Sequence, residues 1–245
     1  MSDVEDRNPA LVFGETAAFY DRVRPAYPAA LIDDVLAVAG SEVRALEVGA
    51  GSGRATAAFV ARGVPVTAIE PDPAMAGLLA ARCPGAELFR GTFEQFRPAE
   101  RFGLLYSAEA WHWTDPATRW SRATDALAEG GTLALFWNTE RIDDPARWAA
   151  MLRVYADLAP AVVFRDAPVH DGPDASWAPT SRRYLTRRAM PAADYLGLAQ
   201  TRSQFRMLPA PVRPALLEAL TALFDDEVPL AIETTLVLGT RPLEP

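Results

Sequence analysis

The run Glu47-Val48-Gly49-Ala50-Gly51-Ser52-Gly53 constrains the fold more than any other feature of the chain. It follows an apolar stretch, VRALEVG, that reads as a buried strand, and it precedes RATAAFVARG, a helical stretch closed by Gly63. Small residues in that turn let the backbone bend sharply and let a ligand touch main-chain atoms. In a doubly wound sheet the crevice beyond the carboxyl end of such a strand is where ligands bind. The next apolar run, VPVTAIE, ends on Glu70, close to the spacing at which an acidic side chain meets a ribose diol. A carboxylate can accept from both hydroxyls at once, which explains why this position wants Asp or Glu. The glycines do not have dinucleotide-loop spacing: G-x-G-x-x-G counted from Gly49 would need glycine where Arg54 stands, and from Gly51 where Thr56 stands. A tight strand–helix turn with no ligand is the plain alternative.

Downstream, β-rich runs and Ala-rich helical stretches keep alternating. PDPAMAGLLAARC reads as a helix with Pro73 in its first turn. AELFRG and RFGLLYS read as the third and fourth strands, and DPATRWSRATDALAEGG as a helix ending at Gly130 and Gly131. TLALFWN, apolar on both faces, reads as a central fifth strand. DDPARWAAMLRVYADLAP and PAPVRPALLEALTALF read as helices, and RRYLTRRA and AIETTLVLGTR as the last strands. Strands separated by helices imply βαβ units, hence an α/β, doubly wound, mostly parallel sheet. Residues 165–180, rich in Pro, Asp and Gly, read as a lid or loop insertion, and residues 1–40 as an N-terminal cap over the glycine loop.

At 245 residues, 50% of them hydrophobic, the chain suits one α/β domain spanning 1–245. A net charge of −8 disfavours nucleic acid or an anionic membrane as the main partner. The single cysteine, Cys83, leaves no internal disulfide framework and fits a reducing compartment. No run of about 18 apolar residues is present, and the acidic start MSDVEDRNPALVFG lacks an apolar signal core. The expectation is a cytoplasmic protein, monomer or homodimer. No Cys/His cluster with metal spacing occurs, so no metal is expected; nor does a phosphate loop or nucleophile elbow.

The motif E-V-G-A-G-S-G resembles the first signature of the class I S-adenosylmethionine-dependent methyltransferases, and Glu70-Pro71-Asp72-Pro73-Ala74-Met75 resembles their second. Tyr20 to Pro28 (YDRVRPAYP) is similar to the YDxxRPxYP opening of a small-molecule branch (methyltransferase type 11-like). Ser107 to Trp113 is similar to the S-x-x-x-x-H-W string after the fourth strand, and Gly130 to Asn138 to the fifth-strand pattern. The likeness covers about residues 15 to 140. It implies a seven-stranded Rossmann-like sheet with an antiparallel C-terminal strand, and S-adenosyl-L-methionine as cofactor, leaving as S-adenosyl-L-homocysteine. It further implies that the loop of Glu47, Gly49, Gly51 and Gly53 approaches the methionine part, that Glu70 with Pro71 holds the ribose, and that Met75 packs near adenine. Two departures stand out. Many relatives carry Asp after the third strand, where this chain has Gly91-Thr92-Phe93-Glu94, so Thr92, Glu94 or a backbone atom must meet the adenine amino group. Relatives often have Gln or Asn where this chain has Glu109.

The resemblance implies in-line displacement at the sulfonium methyl, with a small molecule as acceptor. The protein then has to position and desolvate the nucleophile and let its proton leave. His112 is the candidate base, since the only other histidine, His170, lies in the expected lid; the alternative is that His112 only hydrogen-bonds the loop or cofactor. Tyr20 and Arg24 are candidates for the cofactor carboxylate, against an ordinary surface role for Arg24. Thr92, Phe93 and Ser107 complete the cofactor set. Trp111, Trp113, Trp137 and Trp148 line an acceptor pocket or fill the core. Arg182, Arg183, Arg187 and Arg188 form a basic patch or a solvated strand edge. A same-fold enzyme that does not transfer methyl, such as a cyclase, and a non-catalytic cofactor-binding protein are the competing functions.

Overall fold

A computed structural model describes residues 23–40, 42–164 and 172–242. Seven strands form one sheet in the order β3-β2-β1-β4-β5-β7-β6. Strands β1 (Ala45–Val48), β2 (Val66–Ile69), β3 (Glu87–Phe89), β4 (Phe102–Ala108) and β5 (Leu127–Ile142) are paired in parallel. Strand β7 (Glu227–Thr240) runs antiparallel to β5 and to the edge strand β6 (Thr180–Pro191). The expected doubly wound sheet with an antiparallel C-terminal strand is therefore present. From β1 the chain builds outward to β3, then returns to place β4 on β1's other side. That reversal opens a crevice between the carboxyl ends of β1 and β4.

Strand alternation sorts the core into two faces. Ala45, Leu104, Tyr106, Ala134 and Phe136 point to one face, where Leu31, Ile32 and Val35 of helix α1 (Ala29–Ala39) and Phe59 of α2 (Arg54–Val60) cover them. Leu46, Leu105, Leu133 and Leu135 point to the other, against Ala123 and Ala126 of α4 (Arg119–Ala126). Helix α3 (Pro73–Arg82) starts on an Asp-Pro device: the Asp72 carboxylate accepts from the amides of Ala74 and Met75, and Pro73 supplies a pre-set φ. Asp144-Pro145 repeats it at α5 (Pro145–Leu158). A third cluster wraps α5, α6 (Ala192–Gln200), the short α7 (Ser203–Arg206) and α8 (Val212–Thr221) around the far ends of β5, β6 and β7, through Ile142, Met151, Leu198, Leu216 and Leu230.

The helix expected to run to Gly131 stops at Ala126, and β5 already begins at Leu127. Leu127 pairs with Phe102, and its carbonyl accepts from the buried Arg241 guanidinium at 2.8 Å. The Arg241 amide donates to Gly131 O at 2.8 Å, so strand contacts override the helical run of side chains. Strand β5 also outruns its expected end at Asn138, because β7 pairs with it as far as Ile142. The α1 part of the expected cap is one of the helices on the sheet face, while residues 1–22 lie outside the described residues. Of the expected lid, 165–171 also lie outside them. Its described remainder contains Trp177, buried against the α4 face beside Trp120.

Leu104 is fully buried at the centre of this arrangement. Leu104→Ala is expected to cost about 2–5 kcal/mol of unfolding free energy, the range for a truncated core leucine. Urea denaturation checks this, and a loss below about 1 kcal/mol would show that the sheet is not packed as described.

Candidate functional site

The loop after β1 is shaped by hydrogen bonds to β2. The amides of Gly49 and Ala50 both donate to Ile69 O, at 3.0 and 2.9 Å. The Gly51 amide donates to Glu70 Oε2 at 2.7 Å, and the Asp72 amide to Glu70 Oε1 at 2.8 Å. Gly49 has φ of 72°, and a Cβ there would stand 2.3 Å from the Cβ of Ala110, the second residue after β4. Only glycine lets the two strand ends come this close. Gly53, with φ of 80°, caps α2 and backs onto Leu79.

Over this loop lies a cavity of about 520 Å³. Its wall includes Glu47, Gly49, Gly51, Glu70, Pro71, Met75, Thr92 and Phe93, eight of the twelve expected cofactor residues. Glu94, the other candidate for adenine, lines it too, its Oε1 accepting from the Asp115 amide at 2.9 Å. Met75 and Phe93 are buried, and Phe93 leans on Trp111.

Glu47 is wholly buried at the end of β1. Its Oε2 accepts from the hydroxyls of Thr56 at 2.5 Å and Tyr106 at 2.9 Å. Its Oε1 is buried with no hydrogen-bond partner among the described residues. Burial pushes the carboxyl up to about 8 despite those two donors, and burial together with Glu47 pushes the Tyr106 phenol well above its ordinary value. Burial also raises Glu70, against the pull of the Asp72 and Gly51 amides. A cationic group seated at Glu47 Oε1 would satisfy that oxygen and ionise the carboxyl. An amino-acid ammonium has this chemistry, so the residues present fit a ligand with an amino-acid head at Glu47 and a diol at Glu70.

Four expected site residues stand elsewhere. Ser107 is buried below the cavity, its hydroxyl donating to Val48 O at 2.8 Å and tying β4 to β1. Gly53 acts through the turn. Arg24 is half-buried behind the wall, its carbonyl accepting from Arg54 Nη2 at 2.5 Å. His112 is exposed on the turn Trp111–Trp113, its ring 4.6 Å from that of Trp113; Trp113 and Thr114 line the cavity, and His112 is not brought into the wall. Tyr20 and His170 lie outside the described residues. Trp111 is core; Trp137 packs against the same cluster and Trp148 against the C-terminal one, and none of the three is in the cavity wall. Arg182, Arg183 and Arg187 form ion pairs with Asp34, Glu233 and Asp143 along the exposed edge strand, and Arg188 is exposed beside them. Sequence reasoning missed Tyr27, Arg54 and Arg90 as wall residues. Tyr27 sits within a quoted motif, and its ring packs edge-on to Phe136 of β5.

Residues 46–135 match the family described as a methyltransferase domain. An uncharacterized methyltransferase of Mycobacterium tuberculosis is 37% identical over 147 residues, covering 60% of this chain and 59% of that protein. The match thus spans less than two-thirds of the relative's own length. A type II methyltransferase candidate from Anaeromyxobacter dehalogenans superposes with a TM-score of 0.67 at 22% identity, over 90% of this chain and 99% of that one. A methyltransferase candidate from Bacillus halodurans superposes at 0.51 with 17% identity, over 86% and 99%. Both likenesses are of fold.

The Glu47 carboxyl makes a pH prediction. Its folded pKa lies above the ordinary 4.5, so its contribution to stability is full below that value and is lost as pH rises through about 8. Glu47→Gln keeps an acceptor for Thr56 and Tyr106 and removes the titration. In denaturant melts of the ligand-free protein, the variant should gain on the wild type steadily from pH 4.5 to 8. A difference constant across that window would mean that Glu47 is ionised in the fold.

Proposed function

We propose that this chain, whose residues 46–135 match a methyltransferase domain, is a class I S-adenosylmethionine-dependent methyltransferase that binds S-adenosylmethionine in the cavity over β1 and β2 and directs its methyl to a small molecule. One observation carries the reading. Two buried carboxyls, Glu47 and Glu70, stand either side of a glycine loop in one cavity wall, and the first keeps an unpartnered oxygen. A ligand with an ammonium at one end and a ribose further along answers both.

When bound, S-adenosylmethionine supplies a methyl group activated by its sulfonium. Glu47 receives the ammonium, Glu70 the ribose hydroxyls, and Gly49 and Gly51 leave room for backbone contact. Met75 and Phe93 sandwich the base, with Thr92 or Glu94 taking the adenine amino group. Tyr20 and Arg24 remain proposed for the carboxylate. Tyr27, Glu109 and Trp113 bound the remaining side, where the acceptor enters. In-line displacement needs the nucleophile held on the far side of the methyl with water excluded, and positioning of this kind supplies most of the rate. His112, exposed beside Trp113, stands outside the wall, which leaves it the lesser role of bonding the loop or cofactor.

Among the described residues no helix is long and apolar enough to cross a membrane. A cytoplasmic location and a role in small-molecule metabolism, as monomer or homodimer, complete the proposal.

S-adenosylhomocysteine should raise the melting temperature and NAD should not. At a hundredfold excess over Kd the gain is about 2.7 kcal/mol. Glu70→Ala should weaken S-adenosylhomocysteine binding by roughly 1.5–3 kcal/mol in calorimetry, the range for hydrogen bonds to a charged group. Stabilisation by NAD alone would return the loop to a dinucleotide role. Unchanged affinity in a folded Glu70→Ala would remove Glu70 from the site.

A further inference from the structure

Directly after β4 the backbone takes a conformation that a glutamate does not choose unaided. Glu109 has φ of 62°, in the left-handed region that favours glycine. A residue other than glycine stays there only when its surroundings hold it, and such positions cluster at functional sites. Here the hold comes from β5. The Glu109 amide donates to Phe136 O at 2.9 Å, and the Asn138 amide donates to Glu109 Oε1 at 2.7 Å. Asn138 is in turn fixed by the Thr234 hydroxyl, which donates to its Oδ1 at 2.6 Å. The next residue, Ala110, lies against Gly49. Glu109 is thus held on a rigid strand end in the wall of the cavity that carries the glycine loop.

The other carboxyls of that wall have places in the cofactor reading above, Glu47 Oε1 at the ammonium, Glu70 at the ribose and Glu94 on the adenine side, and each already holds groups of the fold. Glu47 Oε2 holds Thr56 and Tyr106, both oxygens of Glu70 hold loop amides, and Glu94 holds the Asp115 amide. Glu109 uses Oε1 alone; no hydrogen bond to Oε2 occurs among the described residues. Burial raises its pKa, while Arg24 and Arg202 lower it and Glu140 raises it further. Arg202 is itself held by Glu140 at 2.5 Å. The group therefore has a proton affinity above that of an ordinary surface glutamate, with two cations near enough to steady its charged form.

We propose that Glu109 receives the methyl acceptor: Oε2 accepts a hydrogen bond from the nucleophilic O–H or N–H of a neutral or cationic small molecule. Acceptors whose nucleophile is a carboxylate or phosphate are excluded, because they would face Glu109 with like charge. The wall as a whole points the same way, with Glu47, Glu70, Glu94 and Glu109 against Arg54 and Arg90. This assignment rests on the methyltransferase reading above. In the transfer, the acceptor heteroatom forms a bond to the methyl carbon as the carbon–sulfur bond breaks. The electron pair of that bond stays on sulfur, giving the thioether, and the heteroatom's proton passes to Glu109 Oε2. A glutamine at this position could hold an acceptor but could not take its proton.

The test uses the full chain, methyl-labelled S-adenosylmethionine and a small-molecule extract split by ion exchange into anionic, neutral and cationic fractions. The wild type should label compounds in the neutral or cationic fraction. With that fraction, Glu109→Gln should lower kcat by about 10²-fold or more, the scale of a lost general base, while calorimetry finds S-adenosylhomocysteine affinity within about threefold of wild type, under 1 kcal/mol. That retained affinity also shows that the variant folds. Glu109→Asp, which keeps the charge, should recover part of the rate. The wild-type rate should fall as pH drops through the Glu109 carboxyl, and the residual rate of Glu109→Gln should not. Labelling confined to the anionic fraction, or wild-type kcat in Glu109→Gln, overturns the assignment while leaving the cofactor reading intact. A wild-type protein that does not bind S-adenosylhomocysteine overturns both.

Discussion

The carbonyl of Ile69, at the last residue of β2, accepts the amides of both Gly49 and Ala50, and the carboxylate beyond it accepts the amide of Gly51. Three successive amides of one loop are thus oriented by two successive residues of the neighbouring strand. Remove that coupling and the loop has no reason to keep three positive-φ glycines open over the sheet. With it, the loop stays low and Gly49 can meet Ala110. The carboxyl ends of β1, β2 and β4 then converge on one cavity. The parallel pairing of β1 with both β2 and β4 sets the heights of these ends, so the sheet register and the site are one arrangement.

The same arrangement explains why buried carboxyls are tolerated. Glu70 is satisfied by amides that the loop must orient somewhere, and a carboxylate bonded to backbone N–H groups can stay buried. Glu47 is less well served: two hydroxyls share one oxygen and the other has no partner. A buried polar atom left this way weakens a fold unless a ligand completes it. On the proposed reading, stability is held back at Glu47 for a ligand, the usual relation between binding sites and their scaffolds. Beyond the cavity, the pair Arg202–Glu140 and the charge of Arg24 join Glu109 to the C-terminal helical layer, so the Glu109 side of the cavity and that layer share one electrostatic network.

Much of this was legible in the sequence, for local reasons. Strand alternation, Asp-Pro caps at α3 and α5, and glycines spaced for a strand–helix turn each act within a few residues. They are visible without knowing what lies across the sheet. Glu47, Glu70, Met75, Thr92 and Phe93 could be singled out because they flank those elements, and all five line the cavity. What escaped depends on partners distant in the chain. Helix α4 ends early because Arg241, 114 residues away, takes the Leu127 carbonyl. Ser107 stands in a motif but turns its hydroxyl to β1. His112 has the right residue type beside the right strand, yet one residue of turn sets it outside while Trp113 faces the cavity. Glu109 stood out in the sequence only as a departure from its relatives. The positive φ and the Asn138 amide that fix it in the cavity wall belong to the folded chain alone.

On the proposed reading, one cavity holds a ligand by its amino-acid head at Glu47 and by its ribose at Glu70. A crystal structure of the protein grown with S-adenosylhomocysteine tests it most directly. Density is expected over the glycine loop, with the ammonium within hydrogen-bond distance of Glu47 Oε1, the ribose hydroxyls on Glu70, and the sulfur facing the side bounded by Glu109 and Trp113. Density in the reverse orientation, with the base at Glu47, or bound away from the loop after β1, would contradict it.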